Sequence, residues 1–308
     1  MHRERIDGLI AAPPTPMNAE GGVDLARVPQ LARFLARNGV VGAFVAGTTG
    51  ESLSLTMAER MALAEAWRRE ARDGFKIILH VGHNSIEDCK TLAQHARDLG
   101  VWAVAAMPPV FFRPATLDAL VDFCAELAAA APSLPFYYYH IPSMTGVRFA
   151  MIDFFRAAAE SIPNLAGMKF TCEDLMDYRL CLDFQAGRFE MLFGRDEMLL
   201  GALALGAKGA VGTTYNLAAP LYRGIIDAFR GGDLATAGGL QSKAAQMVET
   251  LEKADPTLLA AVKSAMKMIG MDCGAPRKPL PTLSADREAD LRRRLDEIGF
   301  FSFCCRVD

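Results

Sequence analysis

Short apolar runs alternate with longer amphipathic segments from the start of the chain to about residue 230, the pattern that successive βα units around a parallel sheet produce. Eight strands are predicted: Gly8–Ala12, Val41–Ala46, Phe75–Val81, Val101–Met107, Pro135–Tyr139, Leu165–Phe170, Glu190–Phe193 and Gly209–Gly212. The intervening segments have helical period. In Met57–Arg72, Thr56 and Glu59 form a capping box, and Met57, Met61, Ala64, Trp67 and Ala71 recur at spacings of three and four. Leu25–Asn38, Ile86–Leu99, Ala115–Ala130, Met151–Ser161, Glu173–Phe184, Asp196–Leu205 and Ala218–Arg230 are the other helices expected between and after the strands.

Eight strands each followed by a helix predict an α/β fold of the closed (β/α)8 type, a TIM barrel, over residues 1–230. The alternative is a doubly wound open sheet, whose first strand-to-helix turn would carry Gly-x-Gly-x-x-Gly. Pro13, Pro14 and Pro16 occupy that turn here. After Gly231 and Gly232 the periodicity is helical only, over Asp233–Lys253, Pro256–Ile269 and Ser284–Ile298, which predicts a C-terminal three-helix appendage over residues 231–308.

Composition narrows the function classes. The chain has 308 residues, 51% of them apolar, enough for a substantial core. Its 33 basic and 36 acidic side chains leave a net charge of −3, which argues against a nucleic-acid or membrane-surface partner. The run Arg292, Arg293, Arg294 is expected to be one solvated helix face. Met1–Asp7 is charged and Pro13 follows soon after, leaving no room for a signal-peptide core. The most apolar run, Val101–Phe112, is 12 residues long and contains two prolines, too short to cross a bilayer. Seven scattered cysteines without a Cys-x-x-Cys pair fit a reducing cytoplasm better than a disulfide framework. The adjacent Cys304 and Cys305 have no nearby histidine and are not expected to bind metal.

In a barrel the reactive groups gather at the C-terminal ends of the strands. Five such places carry candidate chemistry. Gly47-Thr48-Thr49-Gly50-Glu51 follows the second strand; it suits either an anion cradle of N–H and O–H groups or a plain turn with a capping threonine. Tyr137-Tyr138-Tyr139-His140 ends the fifth. There Tyr139, expected as the last strand residue, is the phenol placed to carry a proton, and His140 is expected to be a satisfied structural histidine. Gly167-Met168-Lys169-Phe170-Thr171 ends the sixth and puts a lysine in an apolar strand. Burial disfavours the charged form of an amine, and a free amine attacks a ketone to form a Schiff base; a lysine snorkelling to the rim is the other reading. Phe193-Gly194-Arg195-Asp196-Glu197 and Gly212-Thr213-Thr214-Tyr215-Asn216 follow strands seven and eight. The Asp196 and Glu197 carboxylates suit hydrogen bonds to a polyol, or the acidic start of a helix.

In that order and over essentially the whole chain, these motifs resemble the class I pyruvate aldolases of the dihydrodipicolinate synthase and N-acetylneuraminate lyase superfamily. Leu134–Pro142, Gly47–Leu55 and Ala210–Asn216 are most similar to its lyase branch, especially the animal-type form. The resemblance implies that Lys169 forms the Schiff base and Tyr139 carries the proton, with Thr48 and Thr49 holding a carboxylate. Thr171, Gly194, Asp196, Glu197 and Thr213 would then contact a hydroxylated tail. It implies reversible cleavage of N-acetylneuraminate to pyruvate and N-acetylmannosamine, no metal or diffusible cofactor, and a homotetramer. Two positions separate the branches: Met144 stands where synthases carry an arginine for a second carboxylate, and Phe111 where they carry a relay tyrosine. Two others depart from the lyase pattern: Arg195 replaces an aliphatic or aromatic residue and Thr213 a serine, which leaves the preferred sugar acid open. A related aldolase or dehydratase of a 2-keto-3-deoxy sugar acid, and a sugar-acid binder without activity, are the rival readings.

Overall fold

The computed structural model describes residues 4–71 and 74–307. The strands are β1 (Gly8–Ala11), β2 (Gly42–Val45), β3 (Lys76–His80), β4 (Ala103–Ala106), β5 (Phe136–His140), β6 (Leu165–Phe170), β7 (Glu190–Phe193) and β8 (Gly209–Gly212). All pair in parallel, each with the next, and β8 returns to β1, so the sheet closes into the expected barrel.

Between and after the strands lie α1 (Val28–Arg37), α2 (Met57–Arg69), α3 (Ile86–Leu99), α4 (Leu117–Ala129), α5 (Pro142–Thr145), α6 (Met151–Ala158), α7 (Leu175–Asp183), α8 (Leu199–Ala204) and α9 (Tyr215–Arg230). Then come α10 (Leu234–Ala254), α11 (Leu259–Met268), α12 (Ala285–Glu297) and α13 (Phe300–Phe303). The capping box of α2 forms as expected: Thr56 Oγ1 accepts the Glu59 N–H at 3.2 Å and Glu59 Oε2 accepts the Thr56 N–H at 2.8 Å. The predicted end of that helix, Arg72, lies outside the described residues. Two helices begin with a 3-10 turn that periodicity does not resolve, over Leu25–Arg27 and Asp196–Met198. Two four-residue helices, α5 and α13, have too few residues for a periodic signal.

The core has two layers. Outward-facing strand residues such as Val45, Leu79, Val104, Met168 and Phe193 pack against the helices. Inward-facing residues fill the barrel: Ile10, Phe44, Ile78, Ala105, Tyr137, Tyr139, Leu192 and Val211. At the barrel floor the buried Glu190 carboxylate accepts the Tyr137 hydroxyl and, at 2.5 Å, the Ile6 N–H.

Beyond the barrel, Arg292, Arg293 and Arg294 are exposed on α12 as expected, Arg293 and Arg294 pairing with Asp290 and Arg292 lying over the Phe301 ring. Cys304 and Cys305 are buried and free. The Cys305 N–H donates to Leu217 O at 2.7 Å and its Sγ accepts the Ala219 N–H, so the chain end braces the break in α9 at Ala218.

Close strand approach at Gly167 sets the register of β6 on β7. A Cβ there would stand 1.9 Å from the backbone oxygen of Glu190. Gly167→Ala is therefore expected to destabilise the chain by about 3 kcal/mol or more. In contrast, Gly239→Ala, on α10 with nothing within 4 Å of its added carbon, should stabilise it by roughly 0.5–1 kcal/mol. Denaturant midpoints check both; equal midpoints for the two variants would contradict the packing described.

Candidate active site

Strand alternation decides which tyrosine enters the barrel. Tyr137 and Tyr139 face inward, while Tyr138 packs outward on Phe154. In register, Tyr139 pairs with Lys169, and Lys169 with Leu192. Lys169 is only 4% exposed. Its Nζ stands 4.1 Å from the centroid of the Tyr139 ring and 4.4 Å from that of Phe44, so its amine is held between two aromatic faces rather than snorkelling to the rim.

β5 runs one residue beyond its predicted end, so His140 rather than Tyr139 is its last residue. The His140 ring turns away from the barrel, 5.2 Å from that of Phe170. It is structural, as expected, but not satisfied: its buried Nδ1 has no hydrogen-bond partner. Burial, with the Arg148 charge adding, pushes it down to about 4.

The sequence reading missed His80. It ends β3 on the inward parity of Ile78, the one available signal, and its ring meets that of Tyr139 edge-on at 6.0 Å. His80 Nε2 accepts the Met107 N–H at 3.2 Å. Burial, then the Arg60 charge, hold this ring far below the ordinary histidine range, so it is neutral. Arg60 is itself buried and donates to the carbonyls of His80 and Gly82.

The loop after β2 is folded tightly. A Cβ at Gly47 would stand 2.8 Å from the Phe44 ring, and one at Gly50 2.9 Å from Ala46 Cα. Thr48 Oγ1 lies 3.3 Å from Tyr139 OH, and Thr49 Oγ1 lies 2.7 Å from Thr213 Oγ1. Among the described residues the backbone N–H groups of Thr48 and Thr49 have no acceptor. Free N–H groups beside hydroxyls form an anion-binding concavity.

Opposite stands a wall built by the ends of β6, β7 and β8. Gly194 lies so close to Thr171 that a Cβ would come within 2.1 Å of the Thr171 hydroxyl. Asp196 is buried; its Oδ2 accepts the N–H and the hydroxyl of Thr214 at 2.8 and 2.7 Å, and its Oδ1 rests against Gly212. Burial raises the Asp196 carboxyl, opposed by the Thr214 hydrogen bonds. Glu197, half-buried beside it, is raised by burial and by the Asp196 charge.

Arg195 lies between the carboxylates of Glu173 and Glu197, the latter at 3.5 Å. Its guanidinium is thus not in bulk water: both Nη groups meet carboxylates, while the buried Nε has no partner. Thr214 and Glu173, which latch this wall, were not singled out by the sequence because neither stands out from ordinary loop polarity. Three of the buried polar atoms without partners sit here: Thr171 Oγ1, Asp196 Oδ1 and Arg195 Nε.

All five sequence motifs therefore meet at one rim, as expected. A closed barrel with a lysine enclosed at its mouth and a polar rim defines the class of (β/α)8-barrel enzymes. More narrowly, the sequence matches the Dihydrodipicolinate synthetase family over residues 5–298, and the chain belongs to that family. It is 38% identical to the N-acetylneuraminate lyase of Rattus norvegicus over 305 residues, 98% of this chain and 95% of that protein. With the Xenopus tropicalis N-acetylneuraminate lyase it shares 40% identity over 295 residues, 95% of this chain and 96% of that protein. The solved Proteus mirabilis N-acetylneuraminate lyase superposes with a TM-score of 0.93 at 40% identity, covering 96% of this chain and 100% of that one.

The depressed His140 gives a pH test. Between about 4 in the folded protein and its ordinary 6.5, the unfolded chain binds the extra proton. This contribution is therefore complete above pH ~6.5 and lost as pH falls towards 4, by about 3 kcal/mol. His140→Phe should flatten that part of the stability profile, measured as denaturant midpoint against pH. An unchanged slope would contradict the burial described.

Proposed function

We propose that this chain is a class I aldolase that cleaves N-acetylneuraminate reversibly to pyruvate and N-acetylmannosamine through a Schiff base on Lys169. The carrying observation is the enclosed Lys169 amine against the Tyr139 ring, with the Tyr139 hydroxyl 3.3 Å from Thr48 Oγ1. Amine and phenol come from paired positions on adjoining strands, which holds them in a fixed relation.

Lys169 Nζ attacks the C2 ketone of the open-chain sugar acid, and the carbonyl oxygen leaves as water to give the iminium. Tyr139 takes the proton of the C4 hydroxyl as the C3–C4 bond breaks. The bonding pair moves into the C2–C3 enamine, with the iminium nitrogen as electron sink, and C4 becomes the aldehyde of N-acetylmannosamine. The proton then returns to C3, and water releases pyruvate from the lysine. Thr48 and Thr49 hold the carboxylate through their unpartnered N–H groups and hydroxyls, so attack occurs with C2 already placed.

The tail preference follows from charge. Thr171, Gly194, Asp196, Glu197 and Thr213 offer acceptors and hydroxyls to a neutral polyol, and the unpartnered Thr171 and Asp196 oxygens gain partners from it. Arg195 has both Nη groups on carboxylates and only Nε unpartnered, so it offers no two-pronged grip to a second acid. Met144, exposed and uncharged, favours a sugar tail over a dicarboxylic substrate.

We further propose a homotetramer in a reducing cytoplasm. Phe111 and Phe112, 77% and 84% exposed with their rings 4.8 Å apart, form one apolar patch, and the exposed Met176 and Leu180 on α7 form another. Two separate self-complementary patches generate a closed tetramer. All seven cysteines are free, and among the described residues no helix is long and apolar enough to cross a membrane.

Borohydride reduction in the presence of pyruvate is expected to leave one covalent adduct on Lys169, read by peptide mass, and none in Lys169→Ala. Tyr139→Phe should keep the adduct while losing about 10²- to 10⁴-fold in turnover of N-acetylneuraminate, the usual worth of a positioned proton carrier. Full turnover in that variant would remove Tyr139 from the mechanism, and preference for a six-carbon keto acid would move the substrate to the rival aldolase reading. Met176→Glu should split the tetramer into dimers in light-scattering chromatography.

A further inference from the structure

The loop that cradles the carboxylate is gripped from behind by α11 and the non-helical segment that follows it. Glu51, last residue of the Gly47–Glu51 motif, has a left-handed backbone (φ 57°, ψ 33°), which a non-glycine residue keeps only where its surroundings hold it. Its side chain is wholly buried, and its Oε1 lies 2.7 Å from Nζ of Lys263, a buried lysine on α11. Its Oε2 accepts the backbone N–H of Arg277 at 2.6 Å. Lys263 also donates to Ala275 O at 3.2 Å, which fastens the same 275–277 segment. The Arg277 guanidinium forks onto Glu59 at 2.7 and 2.8 Å and donates to Ser54 O at 2.8 Å, gripping the loop's exit into α2.

From Glu51 the connection runs straight into the site. The Glu51 N–H donates to Thr48 O at 3.0 Å, and the Gly50 carbonyl accepts the Thr15 hydroxyl at 2.7 Å. Thr48 then meets Tyr139, and Thr49 meets Thr213. A displaced Glu51 therefore displaces the two threonines whose N–H and O–H groups face the substrate carboxylate.

We infer that Lys263 and Arg277 are positioning residues for keto-acid binding: acting through Glu51 and the loop exit, they hold Thr48 and Thr49 where a carboxylate is captured. This rests on the reading that Lys169 condenses with a keto acid. It assigns α11 and the segment after it a part in binding, although they contribute no group to the reaction itself.

A buried ion pair that loses one partner leaves an uncompensated charge, whereas removing both charges together is far better tolerated. The test accordingly uses Lys263→Met, Glu51→Gln, the double variant Glu51→Gln/Lys263→Met, and Arg277→Lys, each checked for folding by circular dichroism. The readout is the pyruvate concentration that half-saturates borohydride trapping on Lys169, together with kcat and KM for cleavage. In folded variants lacking the pair, half-saturating pyruvate and KM are expected to rise about tenfold or more, the factor that ~1.4 kcal/mol of lost binding produces. Trapping at saturating pyruvate and kcat should stay within about threefold, the split expected of lost ground-state binding. Arg277→Lys, which keeps the charge and loses the fork, should give a smaller rise in the same direction.

Folded variants with half-saturation within about twofold of the parent overturn the inference, whatever their melting temperature, since that leaves the pair a purely structural role. If Lys263→Met does not fold, the double variant and Arg277→Lys decide by the same criterion. Absence of any adduct in the unaltered chain would instead overturn the aldolase reading.

Discussion

An amine enclosed between two aromatic faces at the mouth of a closed barrel is the constraint around which this chain is organised. Water excluded from Lys169 means that its neighbours, not solvent, set what it can do. The closed parallel barrel is what makes such enclosure possible, because inward parity on β2, β5 and β6 sends Phe44, Tyr139 and Lys169 to one point. Small residues follow from the same demand. Gly167 lets β6 lie against β7, and Gly47 leaves room for the Phe44 ring beneath the cradle.

Polar groups at this mouth are treated in two ways. Some are tied down: Asp196 Oδ2 takes two bonds from Thr214, whose hydroxyl in turn lies 2.6 Å from the Tyr222 hydroxyl. Others, Thr171 Oγ1 and Asp196 Oδ1 among them, are buried without partners, a state that costs about 1–3 kcal/mol per group. Such costs gather where a ligand with matching hydroxyls can offset them, and the surrounding apolar layers carry the difference. On the same wall the two Nη groups of Arg195 are held by Glu173 and Glu197.

Most of this was legible in the sequence. Alternation of short apolar runs with amphipathic helices gave the barrel because each strand is buried on both faces and each helix on one. Lys169 stood out because a lysine inside an apolar strand has few structural uses. What periodicity could not reveal was set by contacts distant in sequence. His80 reads as the polar end of a strand until its parity is placed beside Tyr139. The end of β5 moved by one residue because the His140 carbonyl still takes part in pairing, accepting the Thr171 N–H at 2.8 Å. The orientation of Arg195 depended on Glu173, a residue of another loop.

The separation of Glu51 from its cation has a consequence for how the molecule comes into being. The two residues are 212 positions apart, so the carboxylate leaves the ribosome long before the ammonium that compensates its burial. Until α11 has emerged, that carboxylate is better off hydrated than buried, and the Gly47–Glu51 loop has no finished seat. Biosynthesis thus lays down the Gly47–Glu51 loop early and the ammonium that fixes it 212 residues later.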